Sequence, residues 1–72
     1  MEIVAGEYQH FKGGEYEVIG VATHSETFEP LVVYRPLYGE MNLWCRPASM
    51  FAEKVEIEGK HVDRFQLLAK FE

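Results

Sequence analysis

Apolar side chains along this chain fall in short runs of period two, broken by glycine, proline and polar pairs, and that pattern predicts strands. Gly6 to His10 alternates weakly, Lys12-Gly13-Gly14 marks a turn, and Glu15 to His24 is rich in β-branched and aromatic residues. The last of these runs predicts one long, bent strand. Its apolar face changes partway, from Tyr16 and Val18 at even positions to Ile19 and Val21 at odd ones, and Gly20 is where a bulge is tolerated. Such a strand is able to serve two sheets. Leu31 to Pro36 and Leu43 to Pro47 read as the next two strands, joined by a loop containing Tyr38 and Gly39, each stopped by its proline. Ala48 to Ala52 has room for a single helical or 3₁₀ turn. Val55 to Ile57 and Lys60 to Val62 flank Glu58-Gly59, a two-residue hairpin connection, and Phe65, Leu67 and Leu68 supply a final apolar segment. Five or six short antiparallel strands with one helical turn predict an all-β fold, a small and strongly bent barrel. With no repeat or linker in between, residues 1–72 read as a single domain.

Nearly half the residues are apolar (47%), so the charged fraction does not imply disorder. The lone cysteine, Cys45, excludes an internal disulfide, and it reads as a buried small hydrophobe. There is no apolar run of signal-peptide or membrane-span length, so a soluble cytoplasmic protein with no membrane contact is the expectation. A net charge of -5 argues against non-specific nucleic-acid binding. That charge is uneven: the segment from 30 to 51 sets Arg35 and Arg46 against Glu40 alone, whereas both flanks are acidic. A small anion would be drawn to the middle of the chain, and a long polyanion would meet repulsion on either side.

The same middle segment concentrates polar and aromatic groups: His24-Ser25-Glu26-Thr27, then Tyr34-Arg35-Pro36-Leu37-Tyr38-Gly39, then Leu43-Trp44-Cys45-Arg46-Pro47. Strand register decides whether they share a surface. Pairing Arg35 with Trp44 places Arg35, Trp44 and Arg46 on one face and Val32, Tyr34, Leu43 and Cys45 on the other, which is an acceptable core face. A slip by one residue joins Trp44, Arg46 and Tyr34 and leaves Arg35 beside Cys45. The first register is preferred, because it frames an indole with two guanidinium forks, suited to a planar group bearing a carboxylate or phosphate. The plainer reading is that Trp44 covers the barrel and the arginines lie over it.

His24 and Glu26, two apart, would point the same way at a strand end and stand at the rim of such a site. Against this, loops of this composition commonly cap themselves, with Ser25 and Thr27 hydroxyls on neighbouring backbone groups and His24 as a satisfied partner. No complete catalytic motif is present, and His24 next to Ser25 in extended chain faces away from it. His10, His24 and His61 show no zinc-ligand spacing, so neither a metal nor another cofactor is expected. Tyr8, Tyr16 and Phe65 read as core or barrel rim.

Gly6-x-Tyr8-x-His10-x-Lys12-Gly13, Tyr16-x-Val18-x-Gly20-x-Ala22-x-His24-Ser25-Glu26-Thr27, Val33-Tyr34-Arg35-x-Leu37-Tyr38-Gly39, Leu43-Trp44-x-Arg46-Pro47-x-x-Met50-Phe51, Gly59-Lys60 and Arg64-Phe65 together resemble the bacterial domain-of-unknown-function family 1653. The family pattern carries Val where this chain has Cys45 and often Pro where it has Asp63. The resemblance implies an SH3-like small β-barrel and no established activity. The preferred expectation is a non-catalytic binding module, monomeric or weakly self-associating. It would hold a small anionic or planar ligand, or an acidic or modified peptide, through Trp44, Arg35, Arg46 and Tyr38, with His24 and Glu26 at the rim. One alternative is a small hydrolase or lyase with His24 as base and Arg35 or Arg46 stabilising an anion. The other is a structural subunit of a complex that makes contact through an edge strand or the apolar stretch Phe65 to Phe71.

Overall fold

A computed structural model describes residues 3–71. Among the described residues seven strands and one helical turn follow one another as β1 (Gly6–His10), β2 (Glu15–Thr23), β3 (Pro30–Pro36), β4 (Trp44–Pro47), α1 (Ala48–Phe51), β5 (Lys54–Ile57), β6 (Lys60–Asp63) and β7 (Phe65–Lys70). They make an antiparallel five-stranded sheet, ordered β4-β3-β2-β1-β7, and a two-stranded β5-β6 arm. This is the all-β class the alternation predicts, with seven strands in place of five or six.

The parity switch in β2 is a bulge. Val18 pairs with Tyr34 and Gly20 with Val33, so Ile19 is the extra residue and the core face passes from even to odd positions. A second bulge shifts the β1–β7 register between Glu7 and Tyr8. Gly6 is needed beside it, because a Cβ there would collide with the Ala69 carbonyl oxygen. In the arm, Glu58 and Gly59 adopt φ values of 51° and 81°, the left-handed pair a type I′ hairpin requires.

The strand that serves two sheets is not β2, whose ladders both lie in the five-stranded sheet. It is β6 and β7, two halves of one strand kinked at Arg64: the Arg64 amide donates to Glu53 ahead of β5, and its carbonyl accepts from Phe11 beyond β1. The arm therefore leaves the sheet at an angle. The radius of gyration is 12.4 Å, against about 11 Å for a compact chain of this length.

The core is mainly aromatic. Tyr8, Val18, Val32, Tyr34, Phe51 and Phe65 are buried, and α1 follows Pro47 directly to bring Phe51 onto Phe65, where the rings stack at 4.2 Å. Each such burial is worth about 1.5–3 kcal/mol. Among the described residues no ladder joins the sheet's two edge strands. Side chains connect them instead, since the Arg46 guanidinium of β4 lies 5.5 Å over the Phe65 ring of β7.

Candidate functional site

The β3–β4 register is the slipped one. Tyr34 pairs with Trp44, Val33 with Cys45 and Val32 with Arg46. Since direct partners share a face, Trp44 and Arg46 lie on the side of Val32 and Tyr34, which is the core side. The expectation that Leu43 and Cys45 would fill that face is overturned: both are exposed, and Leu43 precedes the strand. What permits an arginine there is Tyr34. Its hydroxyl accepts from Arg46 Nε at 3.0 Å, and the guanidinium carbon lies 5.8 Å over its ring.

Around this guanidinium the side chains are aromatic. Tyr34 meets Trp44 edge-on at 6.0 Å and Tyr16 at 5.7 Å, while Tyr16 meets Phe65 edge-on at 5.4 Å. Tyr38, carried on the loop after β3, reaches back so that its hydroxyl lies 2.9 Å from that of Tyr16. Burial, then the Tyr38 hydrogen bond, pushes the Tyr16 phenol up to about 12, so it keeps its proton and remains a donor in neutral solution. Trp44 and Tyr38 are about half exposed, at 47% and 53%.

Arg46 has no carboxylate partner among the described residues. The other two arginines do. Arg64 Nη2 lies 2.9 Å from Glu53 Oε1. Arg35, on the opposite face of β3, lies across the ladder from Glu17, with its Nε 3.2 Å from Oε1. Their angle makes that a charge contact rather than a hydrogen bond, since Arg35 Nε has no hydrogen-bond partner. Trp44 is therefore flanked by one of the two expected guanidinium groups.

His24 and Glu26 stand elsewhere. They follow the last β2–β3 pair, Thr23 with Pro30, whereas Tyr16 pairs with Pro36 at the opposite end, roughly 20 Å away by strand rise. His24 Nδ1 accepts the backbone amides of Glu26 at 3.1 Å and Thr27 at 3.3 Å, and Thr27 Oγ1 accepts that of Glu29 at 3.4 Å. Backbone bonds from Phe28 to His24 and from His24 to Glu29 close the loop, with Phe28 at φ 64°. This is the self-capping turn.

A histidine without zinc-ligand spacing packs on the same Phe65 ring as Arg46. His10 is on the core face of β1, edge-on to Phe65 at 4.9 Å and 6.3 Å from Tyr16. No histidine-based motif marks it; alternate position with Tyr8 on β1 is the only signal in the sequence. Loss of solvent, followed by the charges of Arg64, Arg46 and Lys12, lowers its pKa. His10 also lines a cleft of about 610 Å³ in the angle between arm and sheet, with Gln9, Phe11, His61 and Gln66. A second cleft, of about 400 Å³, opens over Tyr8, Phe51 and Phe65. Neither is lined by Arg46, Trp44 or His24, so the Arg46 cluster is a surface platform. Among the described residues no group of three His, Cys, Asp or Glu side chains is arranged to hold a metal, and no helix is long and apolar enough to cross a membrane.

A sequence model of a protein family of unknown function, DUF1653, matches residues 6–67, and the chain belongs to that family. It is similar to a crystal structure of a DUF1653 protein from Bordetella bronchiseptica: 29% identity, TM-score 0.86, covering 99% of this chain and 94% of that one. No curated protein matches the chain.

Proposed function

We propose that this DUF1653 chain is a non-catalytic binding module whose working surface is the Arg46 platform. Its ligand is a small anion, or a planar group carrying a carboxylate or phosphate, either free or displayed on an acidic or modified peptide. One observation carries this reading: Arg46 is tethered through Nε to Tyr34 and held over two aromatic rings, yet it has no acid among the described residues, in a chain of net charge -5. With Nε occupied, the terminal Nη pair is the fork that remains for a bidentate anion. The Tyr16 and Tyr38 hydroxyls share one hydrogen bond, so one phenolic hydrogen is left to donate outward. The exposed part of the Trp44 indole offers a stacking surface.

Arg35, His24 and Glu26 fall outside this surface. The hydrolase alternative required His24 and an arginine head group to converge on one cavity. His24 Nδ1 is instead occupied by its own loop, and neither cleft includes His24. A single exposed thiol, Cys45, fits a reducing compartment such as a bacterial cytoplasm.

The test is the thermal stability of wild type and Arg46→Met against nucleotides, phosphorylated metabolites and dicarboxylates. A compound that raises the Tm of the wild type and not of the variant supports the reading. Equal shifts in both proteins, or none in either, would remove it. A second reading, a subunit of a complex, is favoured by β7: it is an edge strand, and Leu67, Leu68 and nearby Phe71 are exposed. Concentration-dependent mass by light scattering tests its homomeric form, and an invariant monomer mass would exclude that form.

A further inference from the structure

His10 and Arg46 come from opposite sides of the sheet, β1 and β4, and pack on the same ring, Phe65, at 4.9 Å and 5.5 Å. The imidazole is oriented by its own turn, because Nδ1 accepts the Lys12 amide at 3.2 Å. In the neutral ring the proton therefore sits on Nε2, which is a donor. Resting on the anion-binding reading above, we infer that His10 is the second ligand-binding residue of the Arg46 platform, and that an anion held there is taken up together with a proton on His10.

The argument is one of linkage. Lys12 in the β1–β2 turn, Arg46 on β4 and Arg64 at the β6–β7 kink are the cations that act on His10, and Tyr16 of β2 faces it as a neutral phenol. From the arm, Lys54, His61 and Asp63 line the same cleft, where Asp63 is already held by Lys54. Glu15 lies across from Gln9 on the opposite face of the ladder. In the empty protein loss of solvent, and after it this positive surround, disfavours a charged imidazole, so the stability tied to neutral His10 is present above pH 6.5 and is lost as pH falls toward its lowered pKa. An anion on Arg46 cancels part of that field and raises the pKa of His10. Reciprocally, protonating His10 must tighten the anion by the same factor.

Sulfate is the probe, since it does not titrate between pH 5 and 8. Its dissociation constant is measured at both ends of that range for wild type, His10→Asn and Arg46→Met, and the His10 ring signals of the wild type are titrated by NMR with and without saturating sulfate. His10→Asn keeps an oxygen acceptor for the Lys12 amide. The expected result is roughly tenfold tighter binding at pH 5 than at pH 8 in the wild type, equivalent to a one-unit rise in the His10 pKa on binding. The pH dependence should flatten in His10→Asn, and binding should weaken by about tenfold to more than a hundredfold in Arg46→Met at both pH values. Equal pH dependence in wild type and His10→Asn, or a His10 titration that sulfate does not move, would overturn the role of His10 and leave Arg46 as the anion site. No sulfate binding at either pH would overturn both.

Discussion

The two ends of the β2–β3 ladder carry the two polar clusters of this protein, and they differ in how far their polar groups are already used. At the His24 end, imidazole, hydroxyl and amides bond to one another within six residues, and the loop is closed on itself. Toward the Tyr16 end, Tyr16 and Tyr38 share a hydrogen bond, and the Arg46 guanidinium, rooted beside Val32, reaches over Tyr34 and Phe65; these groups draw on strands and a loop far apart in sequence, are held by an aromatic core, and keep donors to spare. A local cluster satisfies itself because its members have short backbone reach to one another. A cluster assembled by the fold keeps whatever valence the packing does not consume.

The largest effect that would break this contrast is at its foundation. Phe65 carries the stack with Phe51 and supports both Arg46 and His10, so Phe65→Ala is expected to cost about 3–5 kcal/mol. In a domain this small that is most of the stability, and urea titration followed by Trp44 fluorescence would show it. Retained stability would mean that the platform does not rest on the core. Next comes Arg46→Met, expected to weaken an anionic ligand by about 1.5–3 kcal/mol, or tenfold to more than a hundredfold, through loss of a charge-assisted pair. Its effect on folding should be smaller, because methionine can cover the same rings. Calorimetric titration and thermal melts on one sample separate the two, and a variant that unfolds without altered affinity would make Arg46 purely structural.

Which parts of this were legible in the sequence follows from what local pattern can encode. The bulge in β2 was readable because a parity switch beside a glycine has one cheap structural solution, and Glu58-Gly59 announced its hairpin through turn chemistry. The β3–β4 register was not. Val32 and Tyr34 face the core in either register, so the choice fell to Leu43 and Cys45 against Trp44 and Arg46, and hydrophobicity alone favours the first pair. The connecting loop is too long to fix a register as a two-residue turn does. The deciding interaction, a buried phenol accepting from a guanidinium, is invisible to a binary pattern. Arg64 was hidden for a related reason, since a polar residue after Asp63 looks like a strand end until both ladders are seen to share it.

A smaller effect sharpens the other side of the comparison. His24→Ala leaves the amides of Glu26 and Thr27 without their acceptor, and water can reach both in this exposed loop. The expected cost is about 1 kcal/mol of stability, with no change in affinity for any ligand that depends on Arg46. Chemical denaturation measures the first and titration the second. A loss of binding without loss of stability would place His24 back at the working surface.

The smallest expected effect is at Arg35, and it isolates what Arg46 has that the arginine of the adjacent strand lacks. Both are arginines on adjacent strands, separated by one step of register into opposite faces. Arg35 spends its charge on Glu17, with side chains 34% and 29% exposed and without hydrogen-bond geometry. Pairs of that kind are worth about 0–1 kcal/mol once solvent screening and side-chain entropy are counted. Arg35→Met should therefore change stability by no more than that, and the change should shrink in high salt, because the interaction lost is a screened charge contact. Anion affinity should fall only slightly, through the weakened long-range field. If Arg35→Met instead weakened binding as much as Arg46→Met, the ligand would have to span both faces of β3, and the platform described here would be half of a larger site that wraps the sheet edge.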